Sequence, residues 1–140
     1  MVITYNSAVL MNELSLAFLY PTPQYGDASN EIAKVTFNDL FTYTLTADTT
    51  LTATWTGPGS VTNIEAAVEG FGGAWRISNP FGNNLVTSIR LESGNPGDNN
   101  TFGDFALFSA TSSAVPEPGT YALLGTGLAT LIAFARRRQK

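Results

Sequence analysis

Eleven carboxylates, seven Lys and Arg and five tyrosines make up the ionisable side chains of this 140-residue chain, which has no histidine and no cysteine. Without imidazole the commonest general base and transition-metal ligand is missing, and without thiols there are no disulfides and no thiolate nucleophile. Carboxylate chemistry remains. Two acids facing each other across a groove could hydrolyse a glycoside, but no pair with that arrangement can be assembled, and neither can a Ser/His/Asp set. Asp39 could ligate calcium with Asp98 or Asn100, yet no D-x-D-x-D pattern accompanies it, and capping a neighbouring loop is the preferred role. Tyr43, Trp55 and Trp75 offer flat faces that could stack on sugars, although Trp55 keeps the apolar parity of its segment and is expected in the core. Gly70-Phe71-Gly72-Gly73 permits a tight bend but lacks the lysine of a phosphate loop, and Asn99-Asn100-Thr101 fits a glycosylation triplet. The chain is therefore not expected to be an enzyme, and no cofactor or metal is assigned.

The strongest chemical handle lies at the C-terminus. Pro116 and Pro118 disfavour helix and hold Val115 and Glu117 extended, presenting Glu117 as a charged reading point for a protease. Residues 120–135 then run for 16 residues without a charge and end on Arg136-Arg137-Arg138-Gln139-Lys140. As a helix that run measures about 24 Å, short of the ~30 Å hydrocarbon core. Tyr121 suits an outer interface and the arginines can snorkel inward, so one C-terminal transmembrane helix with Arg136, Arg137 and Arg138 as a cytoplasmic stop is expected. Gly125, Ala129 and Ala133, four residues apart, add a candidate helix-packing face.

Val-Pro-Glu-Pro-x-Thr, then Leu123-Leu124-Gly125-x-Gly127-Leu128, an apolar run and a terminal arginine cluster together resemble the PEP-CTERM sorting signal. The resemblance covers about 25 residues. It implies an exported bacterial protein whose Pro116-Glu117-Pro118 region is recognised by exosortase, a membrane-embedded cysteine transpeptidase that removes the helix. Phe37-Asn38-Asp39-Leu40-Phe41 further resembles the F-x-D-x-F signature of a subgroup, with Phe37, Asp39 and Phe41 as its marked positions. Export requires a leader, but residues 1–20 hold no Lys or Arg and their apolar positions are broken by Asn6, Asn12, Glu13 and Ser15. A leader lost or left out upstream of Met1 is the favoured explanation, with another export route as the alternative.

The elements that carry these residues are expected to be strands. Phe41, Tyr43 and Leu45 alternate with threonines, and after Ala47-Asp48-Thr49-Thr50 the alternation resumes through Leu51, Ala53 and Trp55, predicting a hairpin with one apolar and one threonine face. Further strands are expected over 32–37, 61–68, 74–78, 85–91 and 105–110, with a surface loop over 93–101. In an unbroken strand Phe37, Asp39 and Phe41 would share a face, so a bulge or turn is expected near Asn38-Asp39. The fold class expected is all-β: a small antiparallel, Greek-key-like β-sandwich over 32–112, a linker over 113–119, the transmembrane helix over 120–135 and a basic tail over 136–140. Residues 1–31 are expected to be partly disordered around Pro21-Thr22-Pro23, with a helix admitted over 8–19.

Before Pro116 ten acids face three cations, a net charge of −7, which argues against nucleic acid as a partner. The partners expected are exosortase, the membrane through the C-terminal helix, and exopolysaccharide. The role expected is structural or adhesive at the cell surface or in its matrix, with a carbohydrate-binding module as the alternative.

Overall fold

The computed structural model describes residues 1–65, 73–94, 105–115 and 118–137. Among the described residues eight strands and one α-helix follow in the order β1 (Val2–Ala17), β2 (Ile32–Phe37), β3 (Phe41–Ala47), β4 (Ala53–Trp55), β5 (Ser60–Asn63), β6 (Trp75–Ser78), β7 (Leu85–Ser93), β8 (Ala106–Ala114) and α1 (Pro118–Arg137), with one 3-10 turn at Gln24–Gly26 between β1 and β2. The β2, β3, β6 and β7 segments lie where alternation and turn chemistry place them. The hairpin of β3 and β4 pairs Leu45 with Trp55 and Ala47 with Ala53, which keeps apolar side chains on one face and threonines on the other. Of the strand expected over 61–68, Asn63 ends the observed element, and residues 66–68 lie outside the described residues. The same is true of residues 95–101 in the expected surface loop.

A two-sheet sandwich was expected, but all eight strands form one sheet, ordered β4-β3-β2-β7-β1-β6-β5, with β8 added on β1. The sheet curls until β4 and β5 touch, and Asn63 Nδ2 donates to the Thr50 carbonyl across that seam at 2.9 Å, giving a nearly closed barrel. The physical reason is β1. Its first part, Val2 to Leu10, pairs with β7, Glu13 to Leu16 pair with β6, and Val9 to Ala17 pair with β8. One strand thus belongs to both halves of the barrel, and a shared strand joins what would otherwise be separate sheets. The helix admitted over 8–19 is likewise absent, because residues 9–17 pair along β1 with β7, β6 and β8, and Val9, Met11, Leu14 and Leu16 are buried in the core. Register shifts between Thr4 and Val9, Met11 and Glu13, and Ser15 and Leu16 bend the strand and blur its period of two in the sequence.

Where β6 and β7 part company along β1, Asn79, on a left-handed backbone, donates its N–H to the Asn12 carbonyl at 2.8 Å. The turn that follows drives Phe81 into the core, fully buried and 4.5 Å from the Phe37 ring. Trp75 anchors the other end: it is buried, and its Nε1 donates to the Leu19 carbonyl at 3.0 Å. Gly59 is required sterically. It sits at φ +86°, and a Cβ there would run into the carbonyls of Ser78 and Asn79.

The expected transmembrane helix is corrected as well. α1 forms over the expected segment, but no helix among the described residues is long and apolar enough to cross a membrane. Its uncharged stretch, Pro118 to Ala135, is 18 residues against the ~20 that a span requires, and Gly119, Thr120, Gly125, Thr126, Gly127 and Thr130 dilute its hydropathy.

Phe81→Ala should lower the unfolding free energy by about 3–5 kcal/mol in denaturant titration, because the cavity opens where the two halves of the barrel meet. Burial raises the Tyr5 phenol above its ordinary value of 10.0. The folded chain then keeps a proton that the unfolded chain releases, so stability should fall as pH rises past about 10. Tyr5→Phe should flatten that decline in melts recorded between neutral and alkaline pH.

Candidate functional site

The Phe37, Asp39 and Phe41 positions form one tip of the barrel. Asn38 and Asp39 take left-handed backbone at φ 53° and 54°, and the Leu40 N–H donates to the Phe37 carbonyl at 3.2 Å, closing a tight turn. The break expected at Asn38-Asp39 is therefore present. It leaves Phe37 and Phe41 as a cross-strand pair with ring centroids 5.2 Å apart. Phe37 is buried, whereas Phe41 lies at the rim with about half its surface exposed, at 49%. Tyr43, 5.9 Å from Phe37, and Trp55, edge-on to Tyr43 at 5.6 Å, continue the aromatic row.

The capping role expected of Asp39 belongs to its neighbour. Asn38 Nδ2 donates to the Leu85 carbonyl at 2.8 Å, while its Oδ1 accepts from Thr87 N at 2.8 Å, Thr87 Oγ1 at 3.1 Å and Ser88 N at 3.4 Å. The Asn38 N–H also donates to the Ser88 carbonyl at 3.0 Å. One amide side chain thereby fastens the β2–β3 turn to the start of β7. The signal was in the sequence, since asparagine tolerates left-handed backbone and bonds nearby main chain better than most residues. Asp39 instead points to solvent and pairs with Arg90 on β7. Asp98 and Asn100, the other oxygens of the expected calcium alternative, lie outside the described residues.

Three further acids are committed to structure. Glu31 is buried and its Oε2 accepts the Tyr20 N–H at 2.7 Å; Asp48 Oδ2 accepts from Thr54 Oγ1 at 2.7 Å; Glu13 pairs with Arg76 at 3.2 Å. Among the described residues no group of three or more acids is placed to hold a metal ion. Trp75, proposed for sugar stacking, is sealed in the core at 1% exposure. Tyr43 and Trp55 are half-buried against that core, and Trp55 Nε1 is taken by the Pro58 carbonyl at 2.8 Å. Gly73 is the described remnant of the glycine run, the rest of which lies outside the described residues, as does Asn99-Asn100-Thr101.

At the sorting segment, Pro118 opens α1, and Arg136 and Arg137 close it, while Pro116, Glu117 and Arg138 lie outside the described residues. Leu123, Leu124, Leu128 and Leu131 are exposed on α1. Gly125 and Ala129 are exposed too, and no neighbouring side chain approaches Gly125. The linker expected over 113–119 begins later than the sequence indicates. Ser113 and Ala114 belong to β8, paired with Leu10 and Val9.

Asn38→Ala should cost about 2–3 kcal/mol, because it removes the shared acceptor and places a Cβ-bearing residue without a local partner on left-handed backbone. Asn38→Gly, which accepts that backbone, should cost less. Asp39→Asn should change stability by under ~1 kcal/mol and only at low salt, as expected for an exposed ion pair. Chemical denaturation of the three variants checks the ranking.

No curated protein and no solved structure matches this chain. Residues 114–139 match the PEP-CTERM protein-sorting motif, which implies an exported protein processed at a membrane by an exosortase.

Proposed function

We propose that the barrel is the passenger of this sorting signal: a structural or adhesive protein delivered to the cell surface or its exopolysaccharide matrix, where it contributes to biofilm. The observation that carries the reading is the match over residues 114–139, which adjoins the last strand of the body. The body suits such a role. Its core is sealed by Trp75, Phe81 and the leucines of β1, and the outer side of β2, β3 and β4 presents a row of threonine hydroxyls. Thr36 and Thr42 share a hydrogen bond at 2.8 Å, and Thr44 Oγ1 lies 3.3 Å from Thr56 Oγ1. Such a surface can exchange hydrogen bonds with water or polysaccharide hydroxyls at little desolvation cost. The net charge of −7 before Pro116 favours solubility. The Phe37-x-Asp39-x-Phe41 hairpin supports membership of the F-x-D-x-F-type subgroup.

Mass spectrometry of the protein from cells with and without exosortase tests this. The expected result is a C-terminus shortened near Pro116-Glu117-Pro118 in the first and intact in the second, with the shortened form in the matrix fraction. An intact C-terminus in both strains would refute processing, and recovery of the shortened form away from surface and matrix would refute the destination.

A further inference from the structure

The sorting motif begins on a residue that is still part of the barrel. Residues 114–139 carry the motif, yet Ala114 is the last residue of β8 and is paired with Val9. From Ala114 to Glu117 the chain can extend only about 10 Å. An enzyme that takes an extended segment as an added strand bonds to its main chain along the segment and reads alternate side chains in pockets, so the segment must stand clear of its own fold. With β8 fully zipped, only Val115 separates the last paired residue, Ala114, from Pro116.

The strand is built in two parts. Leu107 and Ala110 pack against the core and hold the front of β8 to β1. Beyond Thr111 the register shifts opposite Asn12, and Ser112, Ser113 and Ala114 are all exposed. Their side-chain tie is Asn12 Nδ2 donating to Ser113 Oγ at 2.7 Å. A short ladder segment with exposed small side chains opens at the low end of the local stability range.

We propose that residues 112–114 peel from β1 when the sorting segment is engaged, with the bulge opposite Asn12 as the stop. Peeling adds three residues, about 10 Å of reach, and leaves Leu107 and Ala110 in place so that the barrel stays folded. The inference rests on the processing reading above and names the step that exposes its substrate.

The test joins the strands. In the full chain, which has no cysteine of its own, Asn12→Cys with Ser113→Cys replaces the hydrogen-bonded pair by a disulfide. Processing is followed by pulse-chase in exosortase-containing cells, against the Ser113→Cys single variant. The oxidised double variant should be processed about tenfold more slowly or worse. A flexible Gly/Ser insertion of about six residues between Ala114 and Val115 should restore it. Equal rates for double and single variants, or a loss that the insertion does not restore, would overturn the peeling step while leaving processing intact. No processing of the unmodified chain would overturn the processing reading, and this step with it.

Discussion

The barrel depends on one strand being shared. β1 offers one edge to β7 and then to β6, and its other edge to β8, so each half of the molecule finds hydrogen-bond partners on the same backbone. Two strands cannot occupy one edge in succession unless they separate cleanly. That separation is made by the Asn79 turn, and Phe81 fills the space it opens. Bulges in β1 supply the curvature, and the curvature brings β4 to β5. The apolar core, the union of the eight described strands in one sheet and the single long contact surface of β8 all follow from this arrangement.

The hairpin between β2 and β3 shows how a short motif divides its labour. Phe37 and Phe41 supply ring area on a single cross-strand pair, and the turn between them needs residues at ease with left-handed backbone. Asn38 meets that need and uses both its amide nitrogen and its amide oxygen to bind the start of β7, which makes the turn part of the sheet. Asp39 sits at the same backbone conformation but faces outward, where water screens its pairing with Arg90. Placing the carboxylate outside avoids the cost of burying it between aromatic rings.

At the other end of the chain, the match to the sorting motif begins where the last strand ends. Ala114 is paired to β1, and α1 begins at Pro118. β8 ends at Ala114, the residue at which the match to the sorting motif begins. Leu123, Leu124, Leu128 and Leu131 of α1 are exposed, whereas Leu14, Leu16, Trp75, Phe81 and Ile89 form the buried core of the barrel.

Local pattern was enough for much of this. The alternation in Phe41, Tyr43 and Leu45 placed the β3 apolar face, the clash inherent in Phe37-x-Asp39-x-Phe41 demanded a turn, and the order of Pro-Glu-Pro, apolar run and arginines identified the sorting segment. These are properties of neighbours in the chain, and neighbours alone impose them. Tertiary structure decided what neighbours cannot: that residues 2–17 are the central strand, that β8 runs on to Ala114, and that Asn38 rather than Asp39 holds β7. β1 was illegible because its bulges break the period of two and because its partners, β6, β7 and β8, lie some 60 to 100 residues away. Whether one sheet or two would form depended on that strand's two edges, and an edge acquires its partners only when the chain has folded.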